Sequence, residues 1–202
     1  MKIFSTLREF FWPLLEKIDL PGQSDLKPEN INVHSENLDK ALELTFKMYE
    51  SEEDRNKNVE SKSSLFIGTI SVVTTVAIGV TTVLVKESEF KFSLCVLVLL
   101  LFFLTIYMVR TVWFSIKALE RRNYFSLSEN DFLISATGDE FTKKLISAIA
   151  NKTKKNSTTI NSKVDNMVMA QEYFKRAIVV VAVYAFVLLF YYISKSNFWL
   201  SC

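Results

Sequence analysis

The sequence predicts an all-α integral membrane protein with three transmembrane helices and cytoplasmic helical segments. Three observations predict it: three long runs free of charge, an apolar half of the 202 residues that includes 17 Phe, and only four Gly and three Pro to interrupt helices. Such a composition is too apolar for a disordered chain and too poor in Gly for a collagen-like one.

Residues 1–34 form an amphipathic start and a linker. In KIFSTLREFFWPLLEKIDL the apolar positions Ile3, Phe4, Leu7, Phe10, Phe11, Leu14, Leu15 and Ile18 fall at helical spacing, interrupted at Pro13. Two readings stay open: a helix lying on the inner leaflet, anchored by Phe11 and Trp12, or a helix packed in a cytoplasmic bundle. Pro21-Gly22 and Pro28 then punctuate a polar linker. Residues 35–64 form a cytoplasmic helix that Ser35 can cap and that starts near Leu38, with no Gly or Pro until Gly68. Its first half carries a stripe of Leu38, Leu42, Thr45, Met48 and Tyr49. Its second half, ESEEDRNKNVESKS, is polar all round, with Glu53 and Lys57 as a favourable i,i+4 pair. Such a segment is either a solvated stalk or the wall of a water-filled vestibule.

Residues 65–116 form a transmembrane hairpin. The first span, 65–85, is LFIGTISVVTTVAIGVTTVLV, 21 residues without charge, enough to cover roughly 30 Å of hydrocarbon. The second covers 92–109 and extends to 116 if Arg110 snorkels to the surface. A cytoplasmic helical domain, 117–176, follows. Thr137 and Glu140 stand at capping-box spacing and open a helix with Phe141, Leu145, Ile146 and Ile149 on one face. The next stretch, KTKKNSTTINSK, has the composition of a mobile break, and helical character resumes near Thr158. Residues 177–202 hold the third span, 177–193, and a tail. Tyr184, Tyr191 and Tyr192, then Lys195 and Trp199, supply interfacial anchors.

Lys and Arg set the orientation. Arg55, Lys57 and Lys62 precede the first span, and Arg121, Arg122, Lys175 and Arg176 flank the central domain, whereas the hairpin loop KESEFK is balanced and the tail keeps only Lys195. The N-terminus and residues 117–176 are therefore expected in the cytoplasm and the C-terminus outside. The first apolar run begins near residue 65, which argues against a cleaved signal peptide. Residues 1–63 hold nine Lys/Arg against 13 Asp/Glu, and residues 117–176 hold 11 against seven. Two cytoplasmic pieces of opposite sign can dock on each other.

No enzyme is expected. The chain has no GxSxG, no Walker loop, no HExxH and no close carboxylate pair within the apolar runs, so catalytic residues and cofactors are expected to be none. Cys95 and Cys202 lack a CxxC neighbour and His34 is alone, so no metal site is expected. A net charge of +2 gives no sign of a nucleic-acid duplex as partner; the expected partners are the lipid bilayer and further copies of the chain.

Two patterns bear on function. In the first span Gly68, Ser71, Thr75, Gly79 and Thr82 recur at steps of 3, 4, 4 and 3, placing small and hydroxyl side chains on one stripe, with Thr74 and Thr81 beside it. The stripe serves either tight helix packing, within or between subunits, or the lining of a pore ringed by several copies. The basic set Arg121, Arg122, Lys143, Lys144, Lys152, Lys154, Lys155 and Lys163 either enforces topology or binds phosphate, whether of lipid or of a nucleotide.

VESKSSLFIGTISVV and INSKVDNMVMAQEYFKRAIVVVAV resemble the membrane effectors of bacterial anti-phage systems, most nearly the Pycsar membrane-effector family. Glu60 and Lys62 match an acidic residue and a Lys just before that family's first span, and Lys163 to Arg176 match a Lys-containing helix running into another span. Ser63-Ser64, where small apolar residues are usual, and the amphipathic start depart from the pattern. The resemblance implies a homo-oligomeric effector of the bacterial inner membrane, quiet until a nucleotide ligand reaches cytoplasmic residues such as Arg121, Arg122, Lys143 and Lys144, with Glu60 and Lys62 coupling binding to the membrane. A non-catalytic scaffold recruiting a soluble partner is the alternative; a small transporter subunit fits less well, since only Arg110 comes near a span.

Overall fold

The computed structural model describes Trp12, Pro13 and residues 24–87, 92–120, 122–133 and 135–200, and among the described residues every regular element is helical. Two 3₁₀ turns, Pro28–Asn30 and Ser35–Asn37, lead into helix α1, Leu38–Glu87. Helix α2 covers Phe92–Leu119, a single turn α3 covers Glu129–Phe132, and α4 runs unbroken over Gly138–Leu200. Three helices, α1, α2 and α4, are long and apolar enough to cross a membrane. The amphipathic start, apart from Trp12 and Pro13, lies outside the described residues.

The chain divides into two compact units, and α1 and α4 contribute a segment to each. The apolar unit holds Lys62–Ala118 and the chain from Asn166 onward. Its core joins Ile70 and Ala77 of α1, Leu104, Tyr107 and Met108 of α2, and Met169, Tyr173 and Ala177 of α4. Two threonine hydroxyls of α1 inside it are satisfied. Thr81 donates to the Ala77 carbonyl at 2.7 Å and lies 2.7 Å from the Tyr184 hydroxyl, and Thr74 donates to the Ile70 carbonyl at 2.7 Å. Tyr184, expected as an interfacial anchor, is instead buried against Leu97, because its hydroxyl finds this internal partner. Trp12 packs its ring edge-on to Tyr173 at 5.9 Å and carries the Arg110 guanidinium over its face at 4.1 Å, while the Tyr173 hydroxyl donates to the Pro13 carbonyl at 3.3 Å. These two residues of the N-terminal segment rest on protein.

The polar unit holds Glu16–Ser61 and Leu119–Asp165. Leu38 and Ile31 close on Ile146, and Tyr49 closes on Leu145 and Ile149. Met48, expected in the buried stripe of α1, is 64% exposed, and Phe46 packs on the cluster in its place. Ser35, expected as a cap, donates its hydroxyl to the Asp139 carboxylate. A capping box forms at Ser128, whose N–H and hydroxyl both donate to Asp131, at 2.7 and 2.9 Å.

The stretch expected as a mobile break, 152–163, is helical throughout. Tertiary partners override its composition. Asn156 is fully buried; its amide donates to the Phe125 carbonyl at 3.0 Å and its oxygen accepts the Phe125 N–H at 2.8 Å. Tyr49 accepts the Leu127 N–H at 3.3 Å, and Lys152 donates to the Ser126 carbonyl at 2.8 Å. In the non-helical residues 125–128, four N–H and C=O groups are thus met by side chains. Replacing Asn156 by Ala removes the partner of the Phe125 N–H and leaves its carbonyl only the Tyr49 hydroxyl, at 3.5 Å. We expect a loss of about 2 kcal/mol in the unfolding free energy of the full chain in detergent, with faster amide exchange at Phe125 and Leu127 by mass spectrometry.

Candidate functional site

Glu60 and Lys163 meet within the polar unit. The ammonium of Lys163, a residue only 6% exposed, donates to Glu60 Oε1 at 2.6 Å and to Asn56 Oδ1 at 3.0 Å. Asn56 donates in turn to the same Glu60 oxygen at 3.1 Å. One turn earlier, Arg55 donates to Asn161 at 2.8 Å and pairs with Glu52 at 3.4 Å. Residues 50–63 of α1, polar all round in sequence, therefore bury Val59 and turn Glu52, Arg55, Asn56 and Glu60 toward α4. It is a packed helix rather than a stalk surrounded by water. Lys62 is exposed; the partner of Glu60 is Lys163.

The other basic residues spread out. Arg121 lies outside the described residues. Arg122 donates to Ser162 at 2.7 Å and sits 3.8 Å from Glu120. Lys143 is half-buried and Lys144 pairs with Glu140 at 2.6 Å. Lys154 donates to the Ser24 carbonyl at 2.7 Å, and Lys155 lies 3.7 Å from Asp25. Since Lys144 precedes Ser162 by 18 positions on α4, the helical rise separates them by roughly 27 Å. One chain does not bring Arg122 and the pair Lys143 and Lys144 onto a single small ligand.

The hydroxyl stripe of α1 faces outward. Gly68, Ser71, Thr75, Gly79 and Thr82 are all exposed, and a side chain grown from Gly68 or Gly79 meets nothing within 4 Å. Ser71, Thr75 and Thr82 donate to the carbonyls four residues earlier, Ile67, Ser71 and Ile78, at 2.9, 2.9 and 2.8 Å. Such a surface carries no unmet donor and little side-chain bulk. The face of α1 that packs within the chain is the neighbouring one, through Ile70, Thr74, Ala77 and Thr81.

Three features escaped the sequence reading. Ser63 and Ser115 bury their hydroxyls completely without a hydrogen-bond partner in the structure. Residues 122–125 line an open depression of about 620 Å³. Over its rim Tyr124 and Phe125 are 36% and 41% exposed. An aromatic pair in a non-periodic stretch between helices was the available signal. Burial, with Tyr49 and then Glu53 and Glu52 nearby, pushes the Tyr124 hydroxyl above its ordinary range, so that it stays protonated. Among the described residues no group of His, Cys, Asp or Glu is placed to hold a metal ion.

The chain matches no protein-family model, no curated protein and no solved structure.

Asp131 offers a test of the polar unit. A hydrogen bond from Lys152, then those from Ser128, hold its carboxyl below the usual range. A depressed carboxyl contributes stability that is complete above its unfolded value, about 3.9, and disappears as pH falls through the lower folded value. Asp131→Asn is expected to be less stable than the parent by an amount that is constant from pH 7 to 5 and shrinks below about pH 4, read by chemical unfolding across that range.

Proposed function

We propose that the chain is a homo-oligomeric integral membrane protein of the bacterial inner membrane, a non-enzymatic effector of anti-phage defence. In this reading α1, α2 and α4 cross the bilayer, the N-terminus and the polar unit lie in the cytoplasm, and the C-terminus lies outside. A cytoplasmic nucleotide second messenger switches it on, and it then opens a pore or disrupts the bilayer.

The outward stripe of α1 is the observation that carries this reading. A bundle that needed the small residues for its own packing would have turned Gly68 and Gly79 inward, yet the core uses the adjacent face. In lipid, small residues let a neighbouring helix approach closely, and their hydroxyls are satisfied at home. Three spans enclose no channel, so a lumen lined by this stripe needs several copies arranged about an axis. The distribution of Lys and Arg supports the orientation, and the resemblance of the segments around Glu60 and Lys163 supports switching by a nucleotide. A ligand that binds one subunit arrangement more tightly than another shifts the population toward it.

Gly68→Leu and Gly79→Leu separate folding from assembly. Each side chain enters open space, so the thermal midpoint of the protomer is expected to stay within a few degrees, while the oligomeric mass in detergent falls and dye release from liposomes drops at least tenfold. If the parent chain releases neither dye nor ions with any nucleotide tested, and its expression leaves the membrane potential unchanged, the reading fails. Recovery of a stoichiometric soluble protein without conductance would favour the scaffold instead.

A further inference from the structure

Helix α2 carries two cations on one stripe of the apolar unit. Leu99, Phe102, Ile106, Arg110, Trp113 and Lys117 recur at steps of 3, 4, 4, 3 and 4, so they share a face. Leu99, Phe102, Trp113 and Lys117 are exposed, and Ile106 and Arg110 partly so. The Arg110 guanidinium lies 4.1 Å from the centre of the Trp12 ring, and the Lys117 ammonium lies 5.5 and 5.9 Å from the ring centres of Trp113 and Phe114. A ring attracts a cation but brings no net charge to cancel it. Among the described residues neither cation is salt-bridged to a carboxylate. Glu120, three residues after Lys117, sits 3.8 Å from Arg122, and Glu172 is held by Lys175 at 2.8 Å and by Arg176 at 3.1 Å.

The layout of the stripe selects its occupant. Arg110 and Lys117 are two helical turns apart, roughly 10 Å of rise, with Trp113 between them. From Arg110 back to Leu99 the stripe is apolar and rises about 16 Å, close to half the thickness of a bilayer's hydrocarbon core. Two cations and an indole above one leaflet's depth of apolar side chains match the outline of a phospholipid. Indole rings settle at the headgroup level, and Lys or Arg at the cytoplasmic end of a span attracts anionic lipid. A soluble phosphate would leave Leu99 and Phe102 uncovered. A second copy of the chain would cover them but bring no matching charge. Among the described residues the carboxylates of the apolar unit are Glu87, which closes α1 at the other end of that unit, and Glu172, which is already engaged.

We propose that this face of α2 binds an anionic phospholipid of the inner leaflet, with its phosphate beside Arg110 and Lys117, its ester region against Trp113, and one acyl chain along Ile106, Phe102 and Leu99. The proposal rests on the reading of α2 as a membrane span with this end in the cytoplasm, and it holds whether or not a nucleotide acts on the chain.

The test uses the full chain purified in a neutral detergent, with lipid retention read by native mass spectrometry. Phosphatidylglycerol, phosphatidylcholine of the same acyl chains, short-chain phosphatidylglycerol and inorganic phosphate are offered separately and in competition. Phosphatidylglycerol is expected to be retained at least tenfold better than phosphatidylcholine, the short-chain form should bind at least tenfold more weakly, and inorganic phosphate should displace none of it. Arg110→Gln and Lys117→Gln should each weaken retention about fivefold, and the double variant should bring it to the phosphatidylcholine level. Lys117→Arg should preserve it, and Lys175→Gln, which removes an exposed cation of α4, should leave it unchanged. Unaltered circular dichroism and melting confirm that the variants are folded. The proposal is overturned if the two lipids are retained equally, if the double variant keeps the preference, if phosphate competes, or if Lys175→Gln acts as strongly as Lys117→Gln. It is overturned too if the double variant lowers the oligomeric mass without altering lipid retention, since the face would then belong to a second copy. Solubility without detergent would defeat the membrane reading itself, and the site with it. A preference that depends on Arg110 and Lys117 in a chain that releases no dye from liposomes would uphold the site and defeat the effector reading. Nucleotide-driven release without any lipid preference would do the opposite.

Discussion

The bond of the Lys163 ammonium to Glu60 and Asn56 is the contact on which the polar unit depends. The charge of a lysine buried to this degree is tolerable only when its donors are met, because taking a charge out of water costs several kcal/mol unless a partner replaces the hydration. Glu60 and Asn56 supply that partner, and they stand on α1 while Lys163 stands on α4. Helix α4 can therefore continue through a Ser-, Thr- and Asn-rich stretch that would otherwise favour loops. Thr153 bonds back to the Ile149 carbonyl, Asn156 reaches Phe125, and Arg55 meets Asn161. Each polar side chain that faces inward has an assigned partner, and the helix is the frame that brings them into register.

Helix α1 shows a different solution within the apolar unit. Its two hydroxyl stripes are neighbours in sequence but separate in use. Thr74 and Thr81 turn inward, where Met108 Sδ lies 3.0 Å from one and the Tyr184 hydroxyl 2.7 Å from the other. Gly68, Ser71, Thr75, Gly79 and Thr82 turn outward. Both sets satisfy their hydroxyls on the preceding turn of their own helix, so neither face is forbidden in an apolar surrounding. What differs is bulk: the inward face interleaves with Ile70 and Ala77, while the outward face leaves shallow ground beside Val72 and Val76, which are 66% and 60% exposed. A surface of that kind suits the close approach of another helix, and this is why the proposed assembly is centred on α1 rather than on α2, whose outer face carries Phe102 and Phe103.

Arg110 illustrates how an aromatic face can receive a charge near an apolar run. Its guanidinium lies over the Trp12 ring, an arrangement in which the ring quadrupole attracts the planar cation. Trp12 is braced by Tyr173, which also stacks on Phe114 at 5.7 Å. A segment that sequence alone left divided between lipid and protein thus has an aromatic dock at the two residues the structure describes.

The sequence by itself determined the helical class, the three long apolar helices and the charge asymmetry, because each follows from the composition and spacing of neighbouring residues: 3.6-residue periodicity, scarcity of Gly and Pro, and runs without charge are local properties. It also located the outward stripe of small residues as a pattern. Only the tertiary structure decided which way that pattern faces, that Lys163 is the partner of Glu60, that residues 152–163 stay helical, and that Tyr184 turns inward. It also showed that Arg122 stands apart from Lys143 and Lys144 and beside Tyr124 and Phe125 instead. Those decisions pair residues about 30 to 110 positions apart, as Asn156 with Phe125 and Lys163 with Glu60. No window along the chain contains both members of such a pair. The free energy of meeting a buried amide or ammonium outweighs the few tenths of a kcal/mol per residue that local propensity supplies.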